Sequence, residues 1–230
     1  MTFYLLHHGW RNRGLAEWDH DIMAFLAEGH DCSVNPQHPT GKEGRICDLH
    51  VTLASDKVAD FVWTWYSECL ITDRVLDLFR KAEITGFKTK PVTVTGVKRG
   101  SLKNVPRLHE MIVKGWGGEV RKESGITVKE RCPGCGRTLY GPVLDWSKAI
   151  DERRWDGTDI FTLWPLPAYI FAAEPVASLN RENGLRGSGV IPIADVTITQ
   201  PKYALGCTVG RLEDYFSPKV ARRRQRDILF

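Results

Sequence analysis

The segment Arg131-Cys132-Pro133-Gly134-Cys135-Gly136-Arg137 has the residue types and spacing that most directly imply chemistry in this chain. Two thiolates separated by a Pro-Gly pair sit in a turn tight enough to face one ion, and Gly136 tolerates the positive φ that closes such a turn. A redox Cys-x-x-Cys is expected beside a βαβ pattern. Here the flanks, Ile126-Thr127-Val128 and Thr138-Leu139-Tyr140, read as strands. The segment is therefore predicted to be a hairpin knuckle with Cys132 and Cys135 as metal ligands, and zinc is the ion that suits them. Structural zinc takes four ligands. The nearest second pair in sequence is Cys47-Asp48-Leu49-His50. Its strand-like setting, Ile46 to Leu53, would send Cys47 and His50 to opposite faces. The alternative is a tight hairpin carrying two reduced thiols and no ion. Cys32, Cys69 and Cys207 stand alone and read as small hydrophobes. All seven histidines lie at or before His109, remote in sequence from the knuckle.

Other catalytic signatures do not occur in the sequence. Gly41-Lys42 is followed by Glu43, so there is no phosphate loop, and His109-Glu110 meets Val113 where a zinc protease needs histidine. Gly187-Ser188-Gly189 has the wrong spacing for a nucleophile elbow. Acidic pairs such as Asp145 with Asp151, or Asp156 with Asp159, have nothing beside them in sequence that would tune their pKa values. The expectation is a binding protein and not an enzyme. Trp116, Trp146 and Trp155 stand beside Gly, Asp or Arg in predicted loops, which makes them candidate anchors for a protein partner; their alternative is loop-to-core packing.

Composition sets limits on partners. The chain has 230 residues, 42% hydrophobic and 26% charged, which is ordinary globular usage. No apolar run approaches the ~18 residues needed to span a bilayer. The N-terminus, Met1 to His8, lacks the features of a signal peptide, so a cytoplasmic location is expected. A net charge of +4 is too small for a dedicated nucleic-acid binder. It is also the wrong sign for covering a basic cleft, so a partner with a neutral or acidic contact face is expected. The tail Ser217 to Arg226 carries Lys219, Arg222, Arg223, Arg224 and Arg226 with no acid, and as a helix it would present a basic stripe.

The elements that must position these residues are read from periodicity. Residues 63 to 91 laid over 164 to 192 align Trp63 with Trp164, Val75 with Val176, Leu78 with Leu179, Arg80 with Arg181, Gly86 with Gly187 and Pro91 with Pro192. Each copy reads as a strand, a helix (Asp73 to Ala82, Glu174 to Asn183), a Gly turn and a second strand, the latter two spanning Phe87 to Val97 and Gly189 to Ile198. The predicted fold is α+β, with two pseudo-repeated strand-helix-strand lobes and the Cys-x-x-Cys hairpin in the second half. The lobes are drawn at 1–100 and 101–230, the second with the knuckle and the basic tail, the two forming one unit. Phe3 to His7 reads as a strand, Leu15 to Leu26 as an amphipathic helix, and Cys32 to Gly44 as loop. Leu108 to Val113 and Gly125 to Val128 read as strands on either side of a Trp116-Gly117-Gly118 turn.

The motifs Gly115-Trp116-Gly117-Gly118, Cys132-Pro133-Gly134-Cys135-Gly136, Trp155-Asp156-Gly157-Thr158-Asp159-Ile160-Phe161 and Trp164-Pro165-Leu166-Pro167 precede a helix opening at Glu174. After it comes Gly187-Ser188-Gly189-Val190-Ile191-Pro192. This order resembles the double-CXXCG motif family of bacterial contact-dependent toxin immunity proteins, over roughly residues 60 to 192. The family's first Cys-x-x-Cys-Gly is missing, with Cys32 and Cys47 the only candidate remnants. The resemblance implies an immunity protein that binds a cognate protein toxin and occludes its active site or substrate surface. The competing reading is a zinc-knuckle nucleic-acid-binding protein using the knuckle together with Arg222, Arg223, Arg224 and Arg226.

Overall fold

The computed structural model describes residues 1–8, 15–28, 32–38, 42–197, 206–226 and 228, with side chains except at 25–28 and 42–44. It is α+β, with sixteen strands, β1–β16 in chain order, among the described residues. A five-stranded sheet runs in the order β10 (Gly115–Glu119), β13 (Ile160–Trp164), β14 (Leu166–Ala173), β1 (Phe3–His8), β15 (Ser188–Pro192). A six-stranded sheet runs β2 (Glu17–Trp18), β5 (Leu49–Leu53), β8 (Phe87–Val97), β9 (Leu108–Val113), β7 (Cys69–Thr72), β6 (Phe61–Trp63). Two small sheets complete it: β11 (Val128–Arg131), β12 (Thr138–Tyr140) and β16 (Cys207–Val209), and the pair β3 (Phe25–Glu28) and β4 (Lys42–Arg45). The helices are α1 (Asp73–Lys81), α2 (Glu174–Glu182), α3 (Leu212–Tyr215) and α4 (Pro218–Gln225).

Strand alternation explains how the two large sheets share a core. In β1, Phe3 and Leu5 face one apolar cluster with Phe161, Leu163 and Phe171. Tyr4 and Leu6 face the other way, into a cluster with Phe61, Ile71, Met111 and Ile170. A strand buried on both faces needs apolar residues at successive positions, and Phe3-Tyr4-Leu5-Leu6 supplies them. Helix α1 covers the shared core with Val75, Leu76 and Phe79, and α2 covers it with Val176 and Ala177. A third cluster, with Leu49, Val51, Val62, Leu70 and Leu108, lies on the opposite face of the six-stranded sheet.

The two strand–helix–glycine segments dock on each other through matching contacts. The N–H of Phe61 donates to the carbonyl of Arg186 (2.9 Å), whose own N–H donates to the Asp60 carboxylate (2.8 Å). The N–H of Ile160 donates to Thr85 (3.1 Å), whose N–H donates to the Asp159 carboxylate (2.8 Å). Gly86 and Gly187 both have φ of +89°. A Cβ on Gly86 would overlap the carbonyl oxygen of Ile160, and one on Gly187 would overlap that of Phe61. Glycine is required at both turns by backbone sign and by close approach. The correspondence is local. The sheets do not divide at residue 100, because β1 belongs with β14 and β15 while β9 belongs with β7 and β8.

Two local expectations are corrected. Leu15 to Leu26 is not a helix: Ala16 bridges to Thr64, β2 pairs with β5 and β3 pairs with β4. Ala16 and Met23 are buried while Ile22 is half exposed, so tertiary pairing overrides the helical spacing. Trp116-Gly117-Gly118 is not a turn but part of β10, parallel to β13. A Cβ at Gly117 would sit 2.6 Å from the Phe161 ring, so this glycine admits an aromatic side chain against the strand. Of the extended segment predicted after Gly189, Ile198 lies outside the described residues, as do residues 39–41 of the predicted loop.

Candidate metal centre

β11 and β12 pair antiparallel and present the Cys-Pro-Gly-Cys-Gly turn between them. The N–H of Cys132 donates to Arg137 O (2.8 Å) and the N–H of Gly136 to Cys132 O (2.9 Å). Gly136 has φ of +73°, the left-handed residue that closes the turn. Both thiols are thereby aimed to one side.

What they face is the segment 32–38. Asn35 organises it: its N–H donates to Cys32 Sγ (3.4 Å), its side-chain oxygen accepts from the N–H of Gln37 (2.9 Å), and its carbonyl accepts from the N–H of His38 (3.0 Å). This Asx-type turn places Cys32 and His38 on the same side. Cys32 Sγ lies 3.5 Å from Cys132 Sγ, and His38 Nδ1 lies 3.6 Å from Cys135 Sγ. All four ligand atoms fall within 4.8 Å of one another. A tetrahedral zinc with ordinary bond lengths separates two sulfurs by about 3.8 Å and sulfur from nitrogen by about 3.5 Å. The three thiols are free and buried, and His38 is half buried. Cys3His is a structural zinc set, and the residues present fit the ion in donor type, number and spacing.

The surroundings support the same reading. The N–H groups of Asn35 and Val34 pull the Cys32 thiol down to about 6, favouring thiolate. Burial pushes the Cys135 thiol up, and the neighbouring thiols add to the shift. A divalent cation would relieve that crowding of sulfur. Gly134 lets the two segments close: a Cβ there would come within 2.9 Å of Val34 and 3.2 Å of Cys32 Sγ. Behind the knuckle, Arg211 donates from Nε to Cys135 O (2.8 Å) and from its terminal nitrogen to Gly134 O (3.2 Å), tying the start of α3 to the turn.

Cys47 and His50 lie elsewhere. Cys47 Sγ contacts Met23 Sδ at 3.9 Å and accepts from the N–H of Ala24, and the His50 N–H points at the same Met23 sulfur. The second half of the site comes instead from Cys32, read above as a small hydrophobe, and His38. A Cys-x5-His pair inside a Pro- and Gly-rich loop was the available signal, because a loop can converge two ligands that a strand would separate.

The candidate partner anchors are also relocated. Trp116 and Trp146 are buried in the cluster around Phe161 and Phe171. Trp155 is half buried, edge-on to Phe3 at 5.1 Å, and donates from Nε1 to Thr158 O. Their flanking glycines and charges mark strand ends and 3-10 turns that pack inward. Of the basic tail, Arg224 is buried, its guanidinium 4.3 Å from the Trp116 ring and 4.1 Å from Phe216, and it donates to Lys114 O. Arg222, Arg223 and Arg226 are exposed. Among the described residues no helix is long and apolar enough to cross a membrane. No family model matches the chain, and no curated protein matches it.

Proposed function

We propose that this protein is a zinc-stabilised immunity protein that binds a cognate protein toxin and blocks its active site or substrate surface. The closed ligand set supports the structural role of the ion in this reading, while the toxin part rests on the motif order. Four side chains fill a tetrahedral shell and leave no position for substrate, as in structural rather than catalytic zinc sites. The ion's role is then to hold residues 32–38 against the knuckle, and the protein acts as a preformed shape. The motif order between Gly115 and Pro192 supplies the toxin as partner through its resemblance to immunity proteins.

The nucleic-acid reading loses one of its residues, since Arg224 is committed to Trp116 and Phe216 inside the fold. The test is native mass spectrometry of the purified protein with the product of the adjacent gene. A one-to-one complex surviving at micromolar concentration is expected, together with rescue of growth when toxin and protein are co-expressed. No complex at roughly micromolar concentration, weak for a specific pair, overturns the reading.

A further inference from the structure

An occluding protein needs a contact surface, and of the candidate anchors Trp116 and Trp146 are buried and Trp155 half buried. A different aromatic pair is exposed. Between β6 and β7 the chain turns through Thr64–Glu68, and Trp65 and Tyr66 at the tip are 68% and 58% accessible. The turn is built, not loose. The N–H of Thr64 donates to Glu68 O (3.0 Å), and Thr64 Oγ1 accepts from the N–H groups of Tyr66 and Glu68 (both 3.2 Å) while its hydroxyl donates to the Glu68 carboxylate. Ser67 holds φ of +73°, a backbone conformation that non-glycine residues rarely adopt. The Tyr66 ring stacks on Trp18 at 3.9 Å, His20 stands edge-on at 6.4 Å, and Trp18 Nε1 donates to Glu68 (3.2 Å). Tyr66 is thereby held against Trp18, with Trp65 exposed beside it at the tip of the turn, and together they form an aromatic ledge.

Its charge differs from that of the chain. Glu68 lies in the turn, and Asp19 and Asp21 flank Trp18 and His20. None of the three forms an ion pair among the described residues, while Arg45 is taken by Glu110 and Lys98 by Glu17. Beside the ledge runs a groove of about 280 Å³ whose lining includes Tyr66, Glu68, Glu110, Met111 and Tyr215.

Resting on the immunity reading, we propose that this ledge is the toxin-contacting surface and that it takes a basic face of the toxin. Arg or Lys side chains would lie over the exposed rings and against the carboxylates, with one entering the groove. Trp and Tyr are the residue types that dominate interface energetics. Phosphates would be repelled by the same carboxylates. The net charge of +4 points to a neutral or acidic contact face, but association is governed by the charges at the contact; there Glu110 is balanced by Arg45, Lys90 lies opposite it, and the acids without an ion pair among the described residues are Glu68, Asp19 and Asp21.

The test is calorimetric titration of the adjacent gene's product into wild type, Trp65→Ala and Asp21→Lys, each at low and high salt. Trp65→Ala is expected to weaken binding about 30-fold, a hot-spot loss. Asp21→Lys should weaken it several-fold and flatten its salt dependence. Both residues are exposed, so melting temperatures should stay within a few degrees of wild type. If wild type binds and both variants bind within twofold of it, the ledge is wrong and the immunity reading stands. Wild-type binding that strengthens with salt excludes a basic face and overturns the proposal. No wild-type complex removes both readings. A single-stranded DNA oligonucleotide serves as the parallel probe: binding to DNA that Trp65→Ala weakens would reassign the ledge to nucleic acid.

Discussion

The knuckle region and the core between the two large sheets are held by different forces. The core is Phe61, Phe79, Ile71, Leu6, Ile160 and their neighbours, apolar side chains gathered from both sheets and both longer helices. Its stability comes from area removed from water and is indifferent to metal or mild changes of pH. The knuckle's own cluster is three residues, Cys32, Cys132 and Cys135. Three small thiols bury too little surface to join segments about a hundred residues apart. If the four ligands hold an ion, the region would be conditional: ordered when the ion ties them, and weakened by anything that removes it or protonates them.

The largest effect is expected from Cys132→Ser or from a strong chelator, since structural zinc contributes ~10–16 kcal/mol in small zinc-finger peptides. Elemental analysis should fall from one zinc per chain to none, and limited proteolysis should open at residues 32–38 and the knuckle while far-ultraviolet circular dichroism keeps its sheet signal. Retention of zinc by Cys132→Ser would end the metal assignment. Phe79→Ala should do the reverse: a loss of roughly 3–5 kcal/mol in denaturant unfolding with zinc stoichiometry unchanged. Next comes Gly187→Ala, where a left-handed backbone and an overlap with the Phe61 carbonyl should cost about 2 kcal/mol or more. Its counterpart Gly86→Ala should cost a similar amount, and a much smaller effect at either would show that the two turns are not equivalent in energy.

Acid sharpens the comparison. The Cys32 thiol is depressed from about 8.5 in an unfolded chain to about 6 in the fold. A depressed acid contributes stability that is complete above the unfolded value and declines as pH falls towards the folded one. In metal-free protein that contribution should disappear between pH about 8.5 and about 6, with zinc moving the loss to lower pH. Titration followed by proteolysis at 32–38, with and without zinc, measures this; a pH-independent cleavage rate in the metal-free protein would contradict it. The smallest effect is expected for Cys47→Ser, which should leave one zinc per chain, because Cys47 packs against Met23 and not against the knuckle.

Legibility followed the range of the interactions. The knuckle was readable because its two thiols, its turn and its flanking strands are consecutive. Helices α1 and α2 and the glycines that follow them were readable for the same reason, and both glycines meet a demand visible in their spacing. The strand at Gly115–Glu119 was misread because its glycines look like a turn until Phe161 is seen packed against them. Of the two readings open for the tryptophans, inward packing is the one seen for Trp116 and Trp146, because flanking Gly and Asp mark a strand end as readily as a loop. The Cys32 and His38 spacing is a weak local signal, and it becomes a candidate ligand pair only once the loop is seen folded against the knuckle.

What the amino-acid order determined by itself is therefore the set of local units: a Cys-Pro-Gly-Cys-Gly turn, two helices each followed a few residues later by a left-handed glycine, and strands apolar enough to be covered on both faces. Tertiary structure alone decided which units meet. It brought a Cys-x5-His turn against the knuckle, sent β1 between strands from the far end of the chain, and turned Trp65 rather than Trp116 towards solvent. The physical reason is that ligation geometry and sheet pairing depend on distances through space, and periodicity along the chain carries no record of those distances.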